Sequence, residues 1–592
     1  MNSSEKPKSL KVSLRKLIKS LKPYKKQIII IFIFSILSTV FTIVGPKMLG
    51  NATTEVFNGV ISKINGKGTI DFVKLNKILL FLLVLYIISF IFNYLSGLLT
   101  AKISWKYTED LRTRINRKTE KLPLKYFDKK SNGEVLSLIT NDIDRISQNL
   151  SSALSDIITC IVAIIGILVM MFSINVSMTL LILLILPLSL VLSAVIASKG
   201  QKYFVLQQEK LASTNSKVEE MLRNHNIIKV FSGENKMLKS FDKENDSLCE
   251  STFKSNFIGG ILEPIMMLIG NLSYVIIAIV GGIFVIKGRI TVGNIQSFIT
   301  YAKNFTNPIG NLASIMTELQ GMIAASERVF EYLEEEEEKK VINPVKLENV
   351  TGKITFNHVS FGYDDENEII KDFDITAEVG KKIAIVGPTG SGKTTIVKLL
   401  MRFYDVTSGE ILIDGINIQN VEREEIRKNI GMVLQDTWLY TGTIMDNIRY
   451  GRLDATDDEV IEAAKKARVH HFVQTLPEGY NMEINEEVSN ISEGQKQLLT
   501  IARVILKDPK VLILDEATSN VDTRTEELIG KAMDTLMKGR TSFVIAHRLS
   551  TIKNADLILV LKDGKIIERG THKELLNKKG FYESLYSSQF SE

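Results

Sequence analysis

The densest chemistry in the sequence lies in eight consecutive residues, Gly387-Pro388-Thr389-Gly390-Ser391-Gly392-Lys393-Thr394. Glycines at this spacing let the backbone wrap phosphate oxygens with N–H donors. Lys393 supplies a point charge toward β and γ phosphates, and Thr394 can hold Mg²⁺. The stretch follows the apolar run Ile383-Ala384-Ile385-Val386 and precedes a helical pattern from Thr395 to Met401. It therefore has the strand and helix flanks that a phosphate loop requires, and a merely Gly-rich turn is disfavoured. A second apolar run, Val511 to Leu514, ends in Asp515-Glu516. Ligands bind at the C-terminal ends of such strands. Asp515 would hold Mg²⁺ there, directly or through water, and Glu516 would polarise an attacking water as a base. Two acids after a strand can also cap a helix, but beside a phosphate loop the catalytic reading is preferred. His547 follows a third run, Phe543 to Ala546, placed to contact a γ-phosphate or orient water, although a lone histidine is often structural.

The elements that must position these residues occupy only the second half of the chain. The 592 residues are 45% hydrophobic and 24% charged, an average over one very apolar half and one polar half. Runs near Gln27–Gly50, Ile78–Thr100, Leu154–Phe172, Met178–Ala197 and Phe257–Ile286 can each cross a bilayer, which takes about 20 helical residues. A sixth span, roughly Val292 to Leu319, is interrupted by Lys303, Asn304, Asn307 and Asn311, as expected of a helix facing a polar cavity. The basic start, Lys6 to Lys26, runs into the first span without a cleavage pattern, so that span is read as uncleaved. Lys and Arg crowd the N-terminus and the segments 101–152 and 199–256, which the positive-inside rule places in the cytoplasm. Those segments read as helices protruding from the membrane, broken near Asn132-Gly133 and Gly233. The net charge of +6 is thus explained by topology, and no nucleic acid is expected.

The acidic run Glu334 to Glu338, then Lys339-Lys340 and Asn343-Pro344, ends the sixth helix as a linker whose glutamates read as solvated. Strands follow at Val359-Ser360-Phe361 and at the three apolar runs above, with hairpin signals at Asp414-Gly415 and Asp563-Gly564. A mixed sheet with helices around it is expected. Two cysteines, Cys160 and Cys249, with no Cys/His cluster argue against disulfides and structural zinc as features of the fold.

Ser492-Glu493-Gly494-Gln495-Lys496-Gln497, just before the Asp515-Glu516 strand, resembles the signature motif of ATP-binding cassette (ABC) proteins, usually written LSGGQ. The resemblance covers nearly the whole chain. It implies six transmembrane helices of the ABC exporter type in residues 1–335 and an α/β P-loop nucleotide-binding domain in residues 336–592, using ATP and Mg²⁺. By the same resemblance Tyr363 stacks on adenine, and Gln435 links the γ-phosphate and its Mg²⁺ to the membrane domain. The loop from Gly387 to Thr395 holds nucleotide, Asp522 belongs to the D-loop, and His547 is the switch histidine. Ser492, Gly494 and Gln495 meet the nucleotide of a second cassette. The membrane domain ahead of the cassette resembles the multidrug and lipid exporter branch, which places a multi-pass chain in a prokaryotic cell membrane with its cassette in the cytoplasm and a small amphipathic substrate in its bilayer-spanning part. The turns Tyr126–Val135 and Ile227–Glu234 would transmit closure of the cassettes.

Two departures stand out. Ile491 and Glu493 replace the usual Leu and first Gly of the signature, and 485–488 lacks the glycines usual in exporters. An acidic side chain there would sit near phosphates and weaken the contact. Because Lys393, Asp515, Glu516 and His547 are intact while the signature is altered, the expected partner is a related, different half-transporter. The alternatives are a homodimeric lipid flippase or a peptide exporter. The last would normally add an N-terminal domain to the 26 or so polar residues before the first span. A signalling GTPase is disfavoured by the lack of an Asn-Lys-x-Asp motif, and an ATP-gated channel on the same fold would show itself by sustained current. Glu263 and Lys303 are candidate cavity contacts, with Glu263 alternatively solvated at the interface.

Overall fold

The computed structural model describes residues 10–590 except 67, 365–366, 435–436, 485–490, 516–521 and 546–551. The chain divides into two compact units, Met1–Glu120 with Lys130–Glu335, and Lys121–Lys129 with Glu336–Glu592.

Among the described residues, ten α-helices precede the first strand: α1 (Leu10–Ser20), α2 (Lys25–Ile64), α3 (Phe72–Thr119), α4 (Leu124–Lys129), α5 (Asn132–Ser137), α6 (Ile143–Ile174), α7 (Val176–Arg223), α8 (His225–Val230), α9 (Glu234–Ile286) and α10 (Val292–Glu334). All but α4 belong to the first unit. Side-chain caps mark several starts: Asp71, Asn175 and Thr291 accept from the backbone N–H three residues on, which satisfies a donor the helix itself cannot. Among the described residues, the helices containing α2, α3, α6 and α9 are long and apolar enough to cross a membrane. Over the two other expected spans, α7 includes side chains outside the description and α10 is diluted by Lys303, Asn304, Asn307 and Asn311. The break expected near Asn132-Gly133 falls at Lys130 and Ser131. Ser131 is extended and accepts from Glu134 N at 3.2 Å, so Asn132 and Gly133 already belong to α5. Gly233 is the residue before α9, where the break was expected.

Small residues let these helices approach closely. A Cβ on Gly293 would lie 1.7 Å from the Gly50 carbonyl oxygen, so α2 and α10 cross backbone to backbone at this pair. Beside that crossing Ile43, Ile167, Met171, Phe298, Tyr301 and Phe305 form a buried cluster. Hydroxyls join α2 to α3: Ser35 Oγ lies 2.9 Å from Ser96 Oγ, and Ser38 and Ser89 donate to each other's carbonyls at 3.0 and 2.9 Å. In an apolar environment such bonds hold helices together because the alternative is an unpaired polar group.

The second unit holds β1 (Ile354–Phe361), β2 (Ile370–Ala377), β3 (Lys382–Val386), α11 (Lys393–Leu400), β4 (Ser408–Ile413), β5 (Ile416–Asn417), β6 (Ile430–Val433), β7 (Gly442–Thr443), β8 (Glu483–Ile484), α12 (Glu493–Lys507), β9 (Val511–Asp515), α13 (Thr523–Met537), β10 (Thr541–Ile545), β11 (Leu557–Lys562) and β12 (Lys565–Gly570), among other short elements. The mixed sheet expected from the sequence forms, accompanied by a separate antiparallel sheet. An antiparallel sheet runs β2-β1-β4-β5, a larger one β12-β11-β3-β10-β9-β6, and β7 pairs with β8. In the larger sheet β11, β3, β10, β9 and β6 are parallel and only β12 is antiparallel. Their near-continuous apolar runs reflect burial on both faces. Both hairpin signals form: Asp414 and Gly415 (φ 50 and 84) turn β4 into β5, and Asp563 and Gly564 (φ 49 and 81) turn β11 into β12. One core lies between the two sheets around Phe356, Phe373 and Phe543. A second packs α12 and α13 against the other face of β9 and β10.

Among the linker glutamates, Glu338 departs from the solvated reading. It is half-buried, with Arg423 at 3.8 Å and Arg427 at 3.7 Å.

Candidate functional site

The parallel sheet decides where the phosphate loop points. Ile545 pairs with both Ile385 and Asp515, so β3, β10 and β9 end at one level, and Leu514 pairs with Val433 of β6. Gly387, at φ 158, follows β3 so closely beneath β11 that a Cβ would lie 2.3 Å from the Leu561 carbonyl oxygen. Gly392 sits at φ 100 with a Cβ position 2.6 Å from Ile370 Cδ1, so a side chain is excluded by conformation and by space. Gly392 precedes α11 and offers no side-chain cap, which leaves the first N–H groups of α11 open to a ligand.

Within the loop Ser391 is 3% exposed, and its Oγ has no partner among the described residues. A buried hydroxyl without a partner costs roughly 1–3 kcal/mol, which a bound phosphate oxygen would recover. Lys393 Nζ donates to the carbonyls of Gly387 at 2.8 Å and Pro388 at 2.9 Å. Burial pushes its amine below the usual lysine range, and the Asp515 carboxylate opposes that shift. Thr394 and Thr395 follow in the first turn of α11. Thr395 is buried with its Oγ1 3.3 Å from the Tyr363 hydroxyl. Thr394 and Asp515 offer hard oxygens of the type Mg²⁺ takes, and the loop would leave most of its coordination to phosphates and water. The residues present therefore fit both a nucleotide and its cation.

Tyr363 is brought to this loop edge on against Phe361 and Tyr404, each 5.1 Å away between ring centres, with Lys398 Nζ 5.5 Å above its ring. Gln435, Glu516 and His547 lie outside the described residues. In sequence they follow within two residues of the ends of β6, β9 and β10.

The signature residues are built on the second core. Ser492 caps α12 through a reciprocal box: its Oγ accepts from Gln495 N at 3.3 Å, and Gln495 Oε1 accepts from Ser492 N at 2.9 Å. Gly494 is buried beside them. Asp522 caps α13, accepting from Thr525 N at 3.0 Å; the Thr525 side chain first, and then this backbone bond, hold its carboxyl below the usual range. These bonds are all local. Among the described residues none joins Ser492, Gly494, Gln495 or Asp522 to the loop from Gly387 to Thr395. Glu493 is held below the usual range chiefly by Lys496, whose Nζ lies 2.8 Å from its Oε1, and Thr437 Oγ1 donates to its other oxygen at 3.1 Å. The acidic substitution is therefore ionised but carries its own counter-ion.

Sequence reasoning missed one cluster. Asp128 of α4 accepts from Lys398 Nζ at 3.0 Å and from the Tyr404 hydroxyl, while Leu124 packs on the core between the sheets. Burial and then the Asp128 carboxylate push the Tyr404 hydroxyl up. Asp128 is held below its usual range by Tyr404 and Lys398, although its own desolvation works the other way. Asp128 falls in the expected turn Tyr126–Val135, but nothing marks Tyr404 among 16 tyrosines.

Residues 28–309 match the family described as ABC transporter transmembrane region, and residues 370–519 the family described as ABC transporter. The chain is 42% identical to a fatty acid ABC transporter ATP-binding/permease protein of Mycobacterium bovis, over 96% of this chain and 95% of that protein. It is 34% identical to an ATP-dependent lipid A-core flippase of Syntrophus aciditrophicus, over 86% of this chain and 85% of the relative.

Proposed function

This chain belongs to the ABC transporters, a membrane-embedded ATPase coupled to transport, and from that membership we propose that it is one half of a dimeric exporter of amphipathic lipids or drugs in a prokaryotic cell membrane. The observation that carries the nucleotide reading is the buried, unpartnered Ser391 hydroxyl beside Lys393 at the uncapped start of α11. Relatives named for fatty acids and for lipid A-core support the lipid class.

In this reading the N–H groups of the loop and of α11 bind the phosphates, Ser391 donates to them, and Lys393 leaves the Gly387 and Pro388 carbonyls for the β and γ groups. Tyr363 orients the adenine. Thr394, Asp515 and, through water, Gln435 would hold Mg²⁺, which supplies charge neutralisation at the phosphates when bound. Glu516 takes the proton of the attacking water, and His547 orients that water against the γ-phosphate. Ser492, Gly494, Gln495 and Asp522 complete the site of a second cassette, so the chain needs a partner half. Closure of two cassettes head to tail is passed to the membrane helices through α4 and α8, and hydrolysis resets the inward-facing state.

The partner we infer is a related, different chain with an unaltered signature and no base at the position of Glu516. Glu516→Gln tests the base assignment: turnover should fall by a factor on the order of 10² or more while ATP binding persists. Near-normal ATPase activity in the complete transporter would overturn it.

A further inference from the structure

A cavity of about 260 Å³ lies within the helical unit between α2, α3, α6 and α10. Its wall is polar in an unusual sense, because the protons of its hydroxyls are already committed. Thr39 donates to the Ser35 carbonyl at 2.7 Å, Thr42 to the Ser38 carbonyl at 3.0 Å, Thr159 to the Ser155 carbonyl at 3.0 Å, and Tyr301 to the Ile43 carbonyl at 2.7 Å. Each oxygen keeps acceptor capacity. The cavity is also bordered by Pro46 and Pro308. A proline inside a helix has no N–H for the carbonyl four residues before it, so the Thr42 and Asn304 carbonyls each lose their helical donor. The carboxamides of Asn93 and Asn304 border the same space and have no hydrogen-bond partner among the described residues. The two carboxamides also bring N–H donors, but the acceptor oxygens outnumber them, and among the described residues no Asp, Glu, Lys or Arg borders the cavity.

We propose that this cavity binds the uncharged, hydroxyl-rich head group of an amphiphile, a glycerol or sugar type, with its chain leaving along Ile43, Ala163 and Ile167. Several O–H groups, which both donate and accept, satisfy the free acceptors as well as the carboxamide N–H groups, whereas a carboxylate could take those N–H groups but would leave the hydroxyl and carbonyl oxygens unpaired. An ammonium also donates, but it would be desolvated with no carboxylate opposite it. The volume suits a small head group and falls just under the range of roughly 300–1,000 Å³ for drug-sized ligands. The proposal deepens the exporter reading by naming the substrate class, and it rests on that reading.

The test uses the full-length chain, with its partner half if the two purify together, in lipid nanodiscs. Binding of radiolabelled 1-monolauroylglycerol, laurate and dodecyltrimethylammonium, which share one chain length, is measured above that of empty nanodiscs. The glycerol ester should bind at least about tenfold more tightly than either ion. Asn93→Leu with Asn304→Leu, near-isosteric and apolar, should remove most of that preference while Tm stays near wild type. Ala163→Phe should exclude all three ligands. Equal binding of the three, a preference for laurate or for the ammonium, or a preference unchanged by the Asn→Leu pair would each overturn the proposal. ATP-driven export of amphiphiles without the head-group preference refutes this site alone. A preference that survives without any ATP-driven movement of these amphiphiles refutes the exporter reading and leaves the site standing.

Discussion

Removing the Asp128 carboxylate should loosen α4 from the nucleotide-binding unit by an amount its contacts allow one to estimate. The Tyr404 hydroxyl that donates to Asp128 belongs to a residue 8% exposed, and Asp128→Ala leaves it without that acceptor, at roughly 1–3 kcal/mol. The Lys398 pair is weaker. Its side chains are 27% and 40% exposed, so solvent screening keeps its contribution under about 1 kcal/mol. A total near 2 kcal/mol corresponds to about 30-fold less protection of the α4 amides in hydrogen exchange. Asp128→Asn retains an oxygen for Tyr404 and loses only the charge, so it should cost roughly two- to fivefold. Tyr404→Phe should resemble the Ala variant more than the Asn variant. The sign with pH follows from the lowered carboxyl: its contribution is complete above the ordinary carboxylate value and is lost as pH falls through the lower, folded value. Wild-type protection should therefore be flat between about pH 5 and 8, and fall only below about pH 4. Basal ATPase should persist in Asp128→Ala while transport per ATP falls. Unchanged protection, or equal losses in the Ala and Asn variants, would refute this account of the docking.

Lys393→Ala should weaken ATP binding by at least about tenfold in a fluorescent-nucleotide titration, since the phosphates lose their fixed cation. Unchanged affinity would remove Lys393 from the site. Gly293→Ala places a methyl 1.7 Å from the Gly50 carbonyl oxygen and should cost more than about 2 kcal/mol, seen as a lower Tm and poorer monodispersity of the purified protein. Glu493→Gly, tested in the chain purified with its partner half, should change nucleotide retention at the site facing this signature more than it changes hydrolysis at the other. Because Lys496 holds that carboxyl low, the effect should not vary between about pH 6 and 9. Robust hydrolysis by a stable homodimer would count against the paired, unequal sites.

Much was legible in the sequence because it is written locally. The loop from Gly387 to Thr394, the apolar strand before Asp515, the turns at Asp414-Gly415 and Asp563-Gly564 and the long apolar helices each depend on neighbours within one or two turns of chain. Glu493 with Lys496 is of this kind too, an i to i+3 pair on the first turn of a helix. Other features depend on residues far apart in the chain. Asp128 meets Lys398 across 270 positions, and the acceptor-lined cavity joins Thr39, Asn93, Thr159 and Asn304 from four helices. Glu338 likewise finds Arg423 and Arg427 only after the chain has folded back. Periodicity specifies which face of an element is buried, but it does not specify which other element will cover it. The partners of polar side chains on that face are chosen by packing, through the cost of leaving any of them buried and unpaired. Local patterning thus specifies the elements of this chain and the loop from Gly387 to Thr394, whereas packing selects which side chains those elements bring into contact.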